Sequence, residues 1–211
     1  MYQHFFKRLL DFLISLTALL LLSPVLILLT LIGAVLMRGN PFFTQLRPGK
    51  NEKIFRLIKF RTMRDCRDAS GALLPDAQRL TRYGRFLRAT SLDELPELIN
   101  ILLGQMSLVG PRPLLVKYLP LYSKEQRCRH NVRPGLTGYA QVHGRNALTW
   151  EERFALDLHY VQHVTLWGDI KILLGTVGVV LKRQGVSSAT SATMEEFTGS
   201  AEDCQVQENA T

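Results

Sequence analysis

The hydrophobic and polar positions divide the chain into one long apolar block followed by a series of short amphipathic ones. Residues 12–37 carry no charge and are dominated by Leu, Ile, Val and Ala. As helix such a run extends roughly 39 Å, against about 30 Å for the hydrocarbon core of a bilayer. It is long for a signal peptide, and Met37-Arg38-Gly39-Asn40 is a poor small-residue cleavage site. A membrane-held segment is predicted. Pro24 falls near its middle, where it lacks an N–H and presses on the carbonyl of Leu20; Ser23 beside it can hydrogen-bond a freed carbonyl. Basic residues flank the block on both sides: Lys7 and Arg8 before it, and Arg38, Arg47, Lys50, Lys53, Arg56, Lys59 and Arg61 after it, against Glu52 alone. Both flanks therefore qualify for the cytoplasmic side under the positive-inside rule. A helix that enters, breaks at Ser23-Pro24 and returns satisfies both features. A kinked spanning helix satisfies the proline alone, and the pattern leaves the two open.

Beyond the block, residues 41–49 are turn-rich, with Phe42 and Phe43 suited to a membrane interface. Residues 53–63 mix β-branched, aromatic and basic side chains and read as a strand or short helix on the surface; residues 65–76 read as a loop. A helix is predicted over 77–89, with Leu80, Tyr83 and Leu87 on one face. Leu95, Leu98, Ile99, Leu102 and Leu103 recur at helical spacing, with Gly104 as a stop. Residues 105–113 end in a rigid turn, 124–130 read as an exposed charged helix, and 133–146 interleave Gly135, Gly138 and Gly144 with polar residues. Residues 150–164 are helical by pattern, with Phe154, Leu158 and Val161 sharing a face. The apolar run 170–181 is too short to span a bilayer and suits an interfacial helix. From Val186 onward the chain is acidic and rich in Ser, Thr and Ala, the composition of a disordered tail.

Charge sharpens this division. Of 26 basic and 18 acidic residues, all the basic ones and 13 of the acidic ones fall within residues 1–185, a net +13 there. A body so charged calls for an anionic partner: membrane lipid, nucleotide or nucleic acid. Cys66, Cys128 and Cys204 are scattered and form neither a disulfide framework nor a zinc pattern.

The candidate chemistry centres on residues 91–104, SLDELPELINILLG. Ser91 with Glu94 three residues later reads as a capping box, placing Asp93 and Glu94 in a first helical turn, with Pro96 as the alternative first helical residue. Acidic residues decorate many helix starts. Here Arg79, Arg82, Arg85 and Arg88 precede the pair, and Gly110-Pro111-Arg112-Pro113 follows it. Adjacent carboxylates amid such positive charge suit a nucleophile and a metal or proton ligand acting on a phosphate. Two prolines aim Arg112, and Arg88 is the arginine nearest the pair. Lys59 and Arg61 have two uses, lipid headgroups or substrate phosphate. Asp157 lies among apolar residues and needs a partner; a salt bridge to an arginine such as Arg145 and a direct chemical role both stay open. His159 and His163 are four apart, but no acidic general base sits within their turn, and metal binding is not expected there.

The motifs taken together resemble the small monotopic phosphoglycosyl transferases, the bacterial enzymes that initiate glycan assembly. The resemblance runs to about Arg183. It rests on KRLLDFL, Ser23-Pro24, KFRTM, SLDELPEL, LVGPRP, RPGLTGYAQVHGRN and WEERFALDLHYV in that order. It implies an α+β, mostly helical protein: a re-entrant membrane helix over 1–40, a compact catalytic domain with interfacial amphipathic helices over 41–185, and the tail over 186–211. It implies residence in the bacterial inner membrane with the domain on the cytoplasmic face, and transfer of a sugar 1-phosphate from a UDP-sugar to polyprenol (undecaprenyl) phosphate with release of UMP. Asp93 would be the nucleophile that forms a covalent phosphosugar intermediate and Glu94 its acidic partner. Mg²⁺ would be held at that pair. Lys59, Arg88, Arg112, Arg145 and Asp157 match family positions at or around the site. Partners would be membrane lipid and both substrates, with a homo-oligomer possible and no nucleic acid. A phosphohydrolase with an aspartyl intermediate and a non-enzymatic anionic-lipid scaffold are the rival classes. Neither the sugar nor the glycan pathway is legible.

Overall fold

A computed structural model describes residues 2–144, 147–181 and 196–199. The helix break expected at Ser23-Pro24 is not seen: helix α1 (Lys7–Met37) stays helical through Pro24, and Ser23 Oγ donates at 2.7 Å to the Leu20 carbonyl that the proline cannot satisfy. Next come β1 (Phe42–Pro48) and β2 (Ile54–Phe60), an antiparallel hairpin with Phe42 opposite Phe60 and Pro48 opposite Ile54. The stretch 41–49, expected as a turn-rich exit, is thus largely a strand, because its Phe, Thr and Leu positions pair with the β-branched and aromatic run that follows.

The helix expected over 77–89 is two pieces, α2 (Asp76–Arg79) and α3 (Arg82–Ala89). Thr81 separates them: its side chain accepts from the Gly84 amide and caps α3. Gly84 is required there, since an added Cβ would overlap the Thr62 carbonyl. That close approach brings Arg88, one turn on, to Thr62, whose hydroxyl receives its Nε at 3.2 Å.

Helix α4 (Glu97–Leu102) is followed by β3 (Ser107–Val109), α5 (Lys124–Arg127), β4 (Gly135–Thr137), α6 (Tyr139–His143), α7 (Trp150–Gln162) and α8 (Leu166–Leu181). Strands β3 and β4 pair in parallel. An added Cβ at Gly135 would overlap the Gly110 backbone, so these two glycines let the LVGPRP and RPGLTGYA segments lie against each other. The helix expected over 124–130 is only α5 plus a 3₁₀ turn, in which Arg129 and His130 are buried rather than exposed. Helix α8 starts at Leu166, four residues before the expected apolar run, and turns Trp167, Leu174 and Val177 outward.

One core joins Phe55 and Leu57 of β2, Leu98 and Ile101 of α4, Met106 and Leu108, Tyr160 of α7 and Ile172 of α8. The burial face of α4 departs from the expected one. Glu97, Leu98, Asn100 and Ile101 point inward, while Ile99 and Leu103 are exposed. Asn100 turns in because it accepts the Ile58 amide and donates to the Arg56 carbonyl, binding α4 to the edge of β2.

Helix α1 is fastened to this domain at both ends. Near its start, Lys7 pairs with Asp169 at 2.6 Å and Arg8 donates to the Ile101 and Leu102 carbonyls at the end of α4. Asp11 accepts from Ser107 Oγ and the Leu108 amide. Near its other end, the Leu29 carbonyl accepts from the Tyr83 hydroxyl at 2.8 Å and the Leu36 carbonyl from Arg64. Lys7 and Arg8, the basic flank before the apolar block, are thus domain contacts. Between these fastenings α1 exposes Leu20, Leu21, Ile27, Leu28, Leu31 and Val35, and it is long and apolar enough to cross a membrane.

Candidate active site

The expected capping box is not formed. Ser91 adopts a left-handed backbone, φ 55°, and its side chain caps nothing. Asp93 and Glu94 sit instead in a separate 3₁₀ turn, Leu92–Glu94, and α4 begins after the buried Pro96. A non-glycine residue in that backbone region is strained, and the strain lies where the chain reverses out of α3 to present the acidic pair.

The pair opens onto a cavity of about 560 Å³. Its polar end is lined by Lys59, Arg88, Asp93, Glu94, Arg112, Arg153 and Asp157, and its apolar end by Leu108, Leu136, Leu173 and Val177. Lys59, Arg88, Asp93, Glu94, Arg112 and Asp157, all anticipated from sequence, are thus brought together. Arg145 lies outside the described residues. Ser23 and Pro24 belong to α1 and are not among the lining residues.

The two adjacent carboxylates have different surroundings. Glu94 Oε1 receives Lys59 Nζ at 2.8 Å and Arg112 Nη2 at 2.6 Å. Burial works to raise its carboxyl, but the guanidinium and ammonium outweigh it and hold Glu94 far below the usual carboxylate range. Asp93 has no hydrogen-bond or ion-pair partner among the described residues. Burial, helped by the Glu94 charge, raises its carboxyl, and the more distant Lys59, Arg112 and Arg88 only moderate this. One acid is locked as an anion; its neighbour has no such partner among the described residues.

A third carboxylate, Glu97, lies 3 % exposed with Lys59 Nζ 3.0 Å away, and the sequence reading had not singled it out. Burial pushes it up from 4.5 to about 7, with Lys59 opposing. A carboxyl raised in the folded state favours the folded chain when protonated, so stability is lost as pH rises from about 4.5 to about 7. Glu97→Gln removes that titration. Its melting temperature should equal the parent's at low pH and exceed it increasingly up to pH about 7. A constant offset across that range, in melts followed by circular dichroism, would contradict the assignment.

Among the described residues Asp157 pairs with an arginine, Arg129: Nη2 lies 2.6 Å and Nε 3.2 Å from Oδ2, with both residues buried. Arg129 also donates to the Arg112 carbonyl at 2.9 Å, so the pair braces the segment that carries Arg112. Arg153, one helical turn before Asp157, lines the cavity and lies over the Trp150 ring at 5.3 Å. Its spacing of four from Asp157 was a readable signal; nothing local marks Arg129 as the partner.

A domain with a long apolar helix fastened to it and a pocket lined by four cations and an acidic pair is compatible with a membrane anchor and with an anionic ligand. The chain belongs to the bacterial sugar transferase family, whose model matches residues 2–183. An uncharacterized sugar transferase of Bacillus subtilis (strain 168), EpsL, is 51% identical over 197 residues, 93% of this chain and 97% of that protein. A UDP-glucose:undecaprenyl-phosphate glucose-1-phosphate transferase of Caulobacter vibrioides is 42% identical over 187 residues, 83% of this chain and 69% of that one. An undecaprenyl-phosphate galactose phosphotransferase of Salmonella typhimurium is 39% identical over 201 residues; these cover 87% of this chain but only 42% of that longer protein.

Proposed function

We propose that this chain moves a sugar 1-phosphate from a UDP-sugar to a polyprenyl phosphate, releasing UMP, as the first membrane step of bacterial glycan assembly. The observation that carries the reading is the division within the acidic pair, Glu94 gripped by two cations and Asp93 open to the cavity. The names of the Caulobacter and Salmonella relatives support the substrate classes. An Asp93 carboxylate oxygen forms a bond to the sugar-bearing phosphorus while the bond from that phosphorus to the bridging oxygen breaks, and UMP leaves with that oxygen. A phosphate oxygen of the polyprenyl phosphate then takes the same phosphorus and frees the carboxylate. Two displacements spare the enzyme from holding two anionic substrates in one transition state. Lys59, Arg88, Arg112 and Arg153 line the path with positive charge. UMP release that depends on added polyprenyl phosphate is the test. Release that proceeds equally without it would make the chain a phosphohydrolase, and vesicle binding without any release would leave only a lipid scaffold.

Magnesium fits the same reading. No group of three or more acidic, histidine or cysteine side chains converges among the described residues. Two carboxylates at most, Asp93 and Glu94, would hold the ion, the sparse protein contribution that suits Mg²⁺ completed by water and substrate phosphates. When bound it would neutralise pyrophosphate charge. Exhaustive chelation should abolish UMP release, and full activity afterwards would show that the arginines suffice.

The path of α1 follows from its fastenings. Contacts of α1 with one domain through Lys7, Arg8 and Asp11 near its start and through Leu29 and Leu36 near its end support a path that keeps both ends on one side of a bilayer. We read α1 on that support as re-entrant while remaining helical through Pro24, with the domain on the cytoplasmic face where nucleotide sugars are made. Single cysteines placed before and after α1 should label from the same side in sealed vesicles; labelling from opposite sides would overturn it.

A further inference from the structure

Residues 196–199 lie well beyond the part of the chain that the family model matches. Phe197 is 3 % exposed. Its ring lies 5.1 Å from Phe154, 5.3 Å from Trp150, 5.8 Å from Tyr118 and 5.9 Å from Tyr122, distances at which aromatic rings attract. Beside it Glu196 pairs with Lys117 at 2.7 Å on the rim of the same pocket. Both residues fall within the stretch expected as a disordered tail, and apart from 196–199 that stretch lies outside the described residues. A large apolar side chain in an acidic, Ser/Thr/Ala-rich stretch gains by burial what its neighbours cannot.

The pocket that takes Phe197 also touches the machinery of the site. Tyr122 and Phe154, which contact Phe197, also lie near the Arg129 guanidinium, 5.9 and 5.7 Å from it. Arg129 holds Asp157 and donates to the Arg112 carbonyl, and the Arg112 side chain holds Glu94. From Phe197 to Glu94 the contacts run through packed rings, the Arg129 guanidinium, its hydrogen bond to the Arg112 carbonyl and the Arg112–Glu94 ion pair.

We infer that the aromatic pocket of Tyr118, Tyr122, Trp150 and Phe154 is a docking site for a phenylalanine flanked by acidic residues, filled by the chain's own Glu196 and Phe197, and that its occupancy positions Arg112 through Arg129. Phe197 is a positioning residue, since it touches none of the cavity. The basic rim at Lys117 selects the acidic flank, and the four rings select the aromatic side chain.

The test uses the full chain carrying Trp167→Phe, which leaves Trp150 as its only tryptophan. Adding Phe197→Ala should change Trp150 emission, because the ring 5.3 Å away is lost. A synthetic peptide of residues 190–204 should restore the emission saturably, and the same peptide with Phe197→Ala should not. This arm does not depend on the proposed activity. The second arm rests on it: kcat for UMP release should fall about tenfold with Phe197→Ala, in the range that changes along a packed network produce. The peptide should recover it over the same concentration range. Unchanged emission in the Phe197→Ala chain overturns docking. Changed emission that the peptide fails to restore makes Phe197 an ordinary core residue and overturns the docking site. Restored emission with an unaltered kcat overturns the link to Arg112, and absence of UMP release from the parent chain counts against the proposed function alone.

Discussion

Asp93→Asn should reduce turnover by about a thousandfold or more while the chain stays folded and membrane-bound. The amide has nearly the shape of the carboxylate but no anionic oxygen to form the bond to phosphorus. Stability should move the other way. Burial and the neighbouring Glu94 raise the Asp93 carboxyl in the folded state. Above its ordinary value the ionised group therefore works against folding, and a neutral side chain relieves that. Asp93 also has no partner among the described residues to lose. The expected result at neutral pH is an inactive variant that melts at or above the parent temperature. A donor-trapping experiment should place a sugar-phosphate adduct on the parent peptide containing Asp93. Near-parental UMP release from the variant, or an adduct on another residue, would sink the nucleophile assignment.

The acidic pair was legible in the sequence because it stands next to a dense run of arginines, and the resemblance of the ordered motifs placed Lys59, Arg88, Arg112 and Asp157 beside it. The local backbone was not legible. A Ser-x-x-Glu pattern resembles a capping box wherever it occurs, but whether Ser91 faces a helix start depends on how sharply the chain leaves α3. The face of α4 failed for a different reason. Periodicity treats every apolar position as inward, whereas Ile99 and Leu103 are exposed beside α1, and the polar Asn100 is buried because it binds the backbone of β2. On a domain that carries an apolar helix, outward hydrophobic residues lose the penalty on which that inference depends. The contacts of Lys7 and Arg8 were not legible either, since a basic flank beside an apolar run does not show that Asp169 and the end of α4 lie against it. The partner of Asp157 could not be found locally, because Arg129 is 28 residues away and reaches it only through the packing of α7.

That pair carries the second large effect. Arg129 and Asp157 are 3 % and 2 % exposed, and burial raises the Asp157 carboxyl despite the guanidinium beside it. The pair thus contributes little net stability, yet breaking it strands a buried charge, which costs about 3–5 kcal/mol. Asp157→Leu should therefore destabilise the chain by that order, with the guanidinium left to the Arg112 carbonyl and the neighbouring rings. Replacing both residues, Arg129→Met with Asp157→Leu, removes the stranded charge and should recover most of the loss, because apolar pairs of similar volume substitute well for buried ion pairs. Turnover should not return with it. The Arg112 carbonyl loses its Arg129 donor, so the guanidinium that holds Glu94 is no longer braced, and the cavity wall loses Asp157. Denaturant melts and UMP release on the two variants separate the roles. Stability and activity recovering together would reduce Asp157 to a counter-ion of the core, whereas stability recovering alone assigns the pair to holding Arg112 over the acidic turn.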